Sequence, residues 1–509
     1  MLEACLKQAW QAVERGDAQG AERWFRQALT YDSRHLVARA GLGQALCRQG
    51  RRREGLSHLR EVAERLLQKA RKPEDLRNLL DLAEQLAHWQ DLVTAVRLLR
   101  RVLKLAPEEA SVHNNLALYL LRLNRPEEAF PHAKKALRLL PQHPACQNLV
   151  ATIQAQLGQL SEARLGFERV IAHNMDVRQT ARAWQELSGV LDRMREYEAA
   201  FAAAERAKAL HAVLPEFKAI DPGRVYRSVS LSLAGLDEGL LRRWAPEALA
   251  DGWPRPVFLM GFLRSGTTLT EQVLGAHPKV VVSDENELLD EVVRKMQQMT
   301  GCGENIPHGL RQLSLEQARQ LRAYYWQRVG EEYGEEALDR CFVDKGALHT
   351  LALGVISVLF PEAKLIFCVR DPRDVCLSCF LQIFKPAWVT VNLLSWEGVA
   401  KQYAAVMELW LKLRQAIAPA WMELRYEEAV AGFAATYRHV LAFLGLEWTD
   451  EIASFYRNAK GRYISTPSFA AVSQPVYTRA VGRWQHYEKF FPPILPQLAP
   501  YLAAFGYYV

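Results

Sequence analysis

Val257-Phe258-Leu259-Met260 runs directly into Gly261-Phe262-Leu263-Arg264-Ser265-Gly266-Thr267-Thr268. An apolar run of strand length that breaks into a glycine-bounded loop, followed by a helix-forming segment, is how α/β proteins hold a phosphate. The glycines let the backbone wrap an anion, and the helix start presents free N–H groups and the positive end of its dipole.

The spacing follows the nucleoside-triphosphate loop G-x-x-x-x-G-K-[ST], except that Thr267 stands where the lysine belongs. That lysine normally reaches the terminal phosphates, so its loss argues against an ordinary nucleotide kinase or NTPase. Arg264 supplies a cation three residues before Thr267. The loop reads as an anion cradle rebuilt for a different phosphate compound.

Around the loop the texture is α/β. Val257–Met260, Cys341–Val343, Leu365–Val369 and Trp421–Leu424 read as strands, with helical patterns over Thr267–Ala276, Ala347–Leu359, Val375–Phe384 and Leu394–Ile417. Alternation of this kind predicts a parallel sheet covered on both faces, with ligands beyond the carboxyl ends of the strands. Arg370-Asp371-Pro372-Arg373-Asp374 follows a second strand, and Ser378 lies about two turns into the next helix. Alone this is a surface ion-pair cluster. Beside the first loop it predicts a ligand with two separate phosphates.

The first two hundred residues carry a repeat. The triplets Ala21/Phe25/Ala28, Gly55/Leu59/Val62, Ala95/Leu99/Val102, Ala129/Ala133/Ala136, Ala163/Phe167/Val170 and Ala200/Ala204/Ala207 are spaced i, i+4, i+7, and their leading residues step by 34, 40, 34, 34 and 37. A turn residue stands five before several of them, at Gly16, Gly50, Asn124 and Gly158. This resembles the tetratricopeptide repeat, a solenoid of helix pairs that bury their faces only by stacking. The expected organisation is repeats over 1–212, a connector docked on the second domain over 213–253, and a catalytic α/β domain over 254–509.

The chain has 509 residues, half of them hydrophobic, and a formal charge of +7. That charge suits a small anionic ligand and is too dispersed to predict nucleic acid. Cys376 and Cys379 form a C-x-x-C within a helical apolar pattern, which reads as buried thiols rather than a redox or zinc pair. Without a basic-then-apolar opening or a run of membrane-spanning length, the expectation is a cytoplasmic protein with no membrane partner. No acidic pair at metal spacing accompanies the loop, so no metal is expected.

Together the two motifs resemble those of the sulfotransferase family, over roughly residues 256–484. Its donor is 3′-phosphoadenosine 5′-phosphosulfate, and the resemblance implies a P-loop-like sulfotransferase fold. It implies that Arg264, Ser265, Gly266, Thr267 and Thr268 hold the 5′-phosphosulfate, with Arg370 and Ser378 on the 3′-phosphate. Arg264-Ser265-Gly266-Thr267-Thr268-Leu269, then Ala276-His277-Pro278, then Glu285, is similar to the order in tyrosylprotein sulfotransferases and their bacterial repeat-bearing relatives. From that likeness Glu285 is the implied general base, Lys345 of Asp344-Lys345 and Ser468 serve the leaving oxygen, Tyr426 stacks on adenine, and Arg483 of Gly482-Arg483-Trp484 closes the donor site. Gln474-Pro475 fits the same pattern. Leu263 replaces the proline usual before the loop arginine, and Glu287 and Asp284 are rival bases. His277 after its helix reads as a cap rather than a base. The acceptor is open between protein tyrosine, peptide, carbohydrate and small molecule. The repeats either bind a protein or peptide acceptor or make a homodimer. The competing readings are a nucleotide kinase or NTPase and a non-catalytic repeat scaffold.

Overall fold

The computed structural model describes residues 1–72, 75–173, 176–283, 287–458 and 479–508. Two compact units divide the chain between His173 and Asn174.

The first unit is helical hairpins: Leu2–Glu14 with Ala18–Tyr31, Leu36–Arg48 with Arg52–Lys69, Leu76–His88 with Leu92–Leu105, Ala110–Arg122 with Pro126–Leu139, and Pro144–Gln156 with Leu160–His173. The second-helix residues expected to pack do so. Ala21, Phe25, Ala28, Leu59, Ala95, Ala129, Ala163 and Phe167 are fully buried. Tight turns join the helices of a pair, and the residue five before each triplet adopts positive φ. Gly16, Gly50, Asn124 and Gly158 do so as the pattern implied, and so does Gln90 in the same slot. Glutamine carries no turn signature, so this member of the set was invisible in composition.

The second unit opens with a further hairpin of the same kind, Val177–Arg193 with Tyr197–Ala212. Its inner face packs on the α/β core: Phe201 stacks on Phe490 at 3.9 Å and lies edge-on to Trp396. Lys208, 2 % exposed, directs its ammonium at the carbonyl oxygens of Leu393 (2.7 Å), Cys379 (3.3 Å) and Gln382. Residues 213–253 form short helices whose Val225, Val229, Leu236, Leu240, Leu241 and Leu249 are buried.

Behind them lies a parallel sheet, five-stranded among the described residues: β1 (Val257–Met260), β2 (Val280–Val282), β3 (Cys341–Lys345), β4 (Lys364–Val369) and β5 (Ala420–Arg425), in the order β2-β3-β1-β4-β5. Alternation along β1 sends Phe258 and Met260 into one core and Val257 and Leu259 into the other. The strand Val280–Val282 escaped the sequence reading because three residues give too short an apolar run. From β1 the chain builds outward through β3 on one side and through β4 on the other. The crevice at the carboxyl end of β1 is therefore the switch point of the sheet, where ligands of such folds bind.

Candidate functional site

The loop after β1 is fixed by close backbone contact. A Cβ on Gly261 would stand 2.5 Å from the carbonyl oxygen of Cys368 in β4, so only glycine lets the chain leave the sheet here. The Gly261 N–H donates to the Ala347 carbonyl (3.1 Å), and its own carbonyl accepts from the Thr350 hydroxyl (2.9 Å). Phe262 anchors the turn in the core beside Tyr403. The chain then reverses through two left-handed residues, Arg264 (φ +69°) and Gly266 (φ +102°), before the helix Thr267–Leu274 starts. A left-handed arginine is uncommon and costs energy that surrounding contacts must hold. One of those contacts is direct, since Arg370 Nη1 donates to the Arg264 carbonyl (3.1 Å). Ser265, Thr267 and Thr268 are buried at the helix start.

Arg370 leaves the tip of β4 and is 7 % exposed. It faces Asp374 at 3.7 Å and lies 4.9 Å from the centre of the Tyr426 ring. Its Nε is buried without a hydrogen-bond partner among the described residues. An unpartnered buried guanidinium N–H beside a helix start fits an anionic group arriving from outside. Burial raises the Asp374 carboxyl above its ordinary value, against the pull of Arg370 and of the Gly482 and Trp484 N–H groups, which donate to it at 2.8 and 2.9 Å. Tyr426 covers the loop closely: a Cβ on Gly266 would meet its ring at 2.7 Å.

The sequence suggested two separate phosphate clusters. In the structure they touch, with Arg264 Nε donating to Ser378 Oγ at 2.9 Å, so the loop and the β4 cluster form one patch. The third strand end contributes Lys345, which is fully buried and ion-paired with Glu271 of the loop helix at 3.2 Å. Its neighbour Asp344 points to the opposite face. It accepts from Ser283 (3.1 Å) and Tyr325 (2.9 Å) and lies 3.4 Å from His349. His349 also lines a cavity of about 240 Å³ with Asp290, Val293, Leu348, Trp388 and Arg224.

Glu285 and Ser468, like Asp284, Gln474 and Pro475, lie outside the described residues. The rival Glu287 is exposed and pairs with Arg294 at 3.0 Å. His277 is 3 % exposed and works structurally: Nδ1 accepts from the Lys279 N–H, which leaves Nε2–H for the Glu447 carbonyl. Arg483 pairs with Asp192 of the hairpin at 2.7 Å, and Tyr487 donates to the same carboxylate. It is thus placed with the hairpin, while its neighbour Trp484 packs on Arg373. Cys376 and Cys379 are buried free thiols, the latter pushed up to about 12 by burial. Glu271, His349 and Asp192 were missed in the sequence, and Asp344 was named there only as the neighbour of Lys345. Acidic residues inside helical patterns carry no local signal for the partner that tertiary folding brings.

The family comparison agrees with this geometry. Residues 256–450 match the profile of the Sulfotransferase family, and residues 90–144 match the Tetratricopeptide repeat. The chain carries a sulfotransferase domain behind tetratricopeptide-like repeats. Among similar proteins, an uncharacterized protein of Aquifex aeolicus (strain VF5) is 29 % identical over 249 residues, covering 47 % of this chain and 32 % of that protein. Protein-tyrosine sulfotransferase 2 of Gallus gallus is 26 % identical over 267 residues, covering 49 % and 69 %. Protein-tyrosine sulfotransferase 1 of Homo sapiens is 27 % identical, also covering 49 % and 69 %. The sulfotransferase domain from the curacin biosynthetic pathway is 19 % identical with a TM-score of 0.36, covering 50 % of this chain and 99 % of that one. The chain thus spans about a third of the Aquifex relative and about two thirds of these animal ones. In the sulfotransferase domain, the ends of β3, β1 and β4 supply Lys345, the anion loop and Arg370. No described helix is long and apolar enough to cross a membrane.

Proposed function

We propose that this chain moves a sulfuryl group from 3′-phosphoadenosine 5′-phosphosulfate to an acceptor hydroxyl, a tyrosine of a protein or peptide being the acceptor suggested by its relatives. The observation that carries the reading is the meeting of Arg264, Ser378 and Arg370 at the switch point, in contact with one another and beside a helix start. The donor supplies an activated sulfuryl group, whose bond to a phosphate oxygen breaks as the bond to the acceptor oxygen forms.

The protein positions the two oxygens and stabilises spreading negative charge. Arg264, the N–H groups after Ser265, and Thr267 and Thr268 hold the phosphosulfate end. Arg370 and Ser378 hold the second phosphate, with Tyr426 against the base, and Arg483 braces the segment that covers it. Lys345, aided by Ser468, steadies the oxygen left on the departing bisphosphate. A phenol near pKa 10 is a poor nucleophile until its proton leaves. Glu285 takes that proton, a contribution typically worth about 10²–10⁴ in rate. The cavity beside His349, lined by apolar residues and by charged ones such as Asp290 and Arg224, gives the acceptor a seat next to the strand that ends in Lys345. The reading includes a cytoplasmic protein with no metal, nucleic-acid or membrane partner, whose repeats take a protein acceptor or a second copy.

Calorimetry with adenosine 3′,5′-bisphosphate tests the donor site. Binding by the wild type, weakened at least tenfold in Arg370→Ala, is the expected result; equal affinity in both refutes the site. Labelled donor added to lysate then shows whether label enters protein or small molecules.

A further inference from the structure

Each of two buried cations at the anion patch faces a buried carboxylate: Arg370 faces Asp374, and Lys345 faces Glu271. The second pair is the less expected. Lys345 Nζ lies 3.2 Å from Glu271 Oε2, with the lysine side chain fully buried and the glutamate 6 % exposed. Glu271 sits one turn into the helix that the loop opens, and Lys345 ends the strand beside β1, paired in register with Leu259. The pair therefore ties the loop helix to the end of β3. Gln272 Nε2 donates to the other carboxylate oxygen at 3.0 Å, which fixes its orientation.

We propose that Glu271 is a positioning residue for the transfer. It holds the Lys345 ammonium at the strand end and keeps it protonated in a site without water contact. The inference rests on the donor reading given above and assigns a residue which that reading does not use. The physical need is direct: a lysine taken out of water favours its neutral form, and an opposite charge within hydrogen-bond reach restores the charged one. A neutral Lys345 has neither the charge to steady a phosphate oxygen nor a third N–H to donate. Among the described residues, two neighbouring titratable groups do not supply that charge. Cys368 of β4 is buried with its thiol pushed up to about 12 and stays neutral, and Asp344 on the same strand turns away toward Ser283, Tyr325 and His349.

The test is the affinity of the full chain for adenosine 3′,5′-bisphosphate, measured by calorimetry from pH 6.5 to 10. Wild type, Glu271→Gln, Lys345→Met and the double variant Glu271→Gln/Lys345→Arg are compared. In the wild type the affinity holds until Lys345 deprotonates. In Glu271→Gln the fall comes at least about one pH unit lower, since an opposite charge at this distance shifts a pKa by about 1–3 units. In Lys345→Met that step is gone. The arginine double variant, charged throughout, restores affinity at high pH, which a purely structural role for Glu271 would not produce. An unmoved pH profile in Glu271→Gln, or a uniform loss of affinity with no change of profile, overturns the inference and leaves the donor reading intact. A wild type that does not bind the bisphosphate at all overturns both.

Discussion

Gly266→Ala is the sharpest single probe of the candidate site, because its cost divides into two readable parts. The backbone at Gly266 has φ +102°, where an L-residue pays about 1–2 kcal/mol. The new methyl would also stand 2.7 Å from the Tyr426 ring, which must withdraw to the 3.4 Å of ordinary contact, a retreat of about 0.7 Å. That ring lies 4.9 Å from Arg370, and a cation–π contact of this kind is worth about 0.5–2 kcal/mol. Urea unfolding should therefore show a loss of about 1–2 kcal/mol, and calorimetry with adenosine 3′,5′-bisphosphate should show affinity about tenfold weaker. Gly261→Ala is the control: its methyl meets the Cys368 carbonyl of β4 rather than a side chain, so it should damage folding more than Gly266→Ala does. A folded Gly266→Ala protein with wild-type nucleotide affinity would refute the placement of Tyr426 in the donor pocket.

Three further outcomes are expected. Val293→Trp fills the cavity beside His349; nucleotide affinity should stay within twofold while acceptor turnover in the labelled-donor assay falls at least tenfold. Gln90→Gly should raise stability to urea by about 0.5–1 kcal/mol, because glycine adopts φ +65° without strain; no gain would mean that the turn is not strained. Burial pulls Lys208 down to about 7 from 10.5, so the unfolded chain binds the extra proton between those values and stability must rise with pH across that window. The rise, up to about 5 kcal/mol, should be absent in Lys208→Met; equal slopes in the two proteins would place the lysine's titration elsewhere.

The fold was readable where local chemistry repeats itself. The packing triplets declared their helices through spacing, and the loop declared its strand, turn and helix through Gly261, Gly266 and the apolar run before them. Residues whose roles depend on distant partners stayed hidden. Asp192 is an ordinary acid in a helix until Arg483, nearly three hundred residues later, arrives beside it. Glu271 reads as a helix-surface charge, yet it is buried because β3 brings Lys345 beneath it. The Arg264–Ser378 bond was equally out of reach, since spacing names the two groups but cannot say that the loop and the β4 helix bring them together. His277 was legible as structural, although its partner, the Glu447 carbonyl, was not.

Lys208 fastens the last hairpin to carbonyls in the last turn of the helix bearing Ser378 and beyond it. For anyone exchanging repeat arrays between such proteins, the seam therefore falls between His173 and Asn174 rather than where the helical repeat pattern stops. A graft cut after residue 212 would take the hairpin away and leave Phe490, Trp396 and the Arg483 guanidinium facing water. What reads as the last repeat behaves as the foundation of the α/β half, and it should be inherited with it.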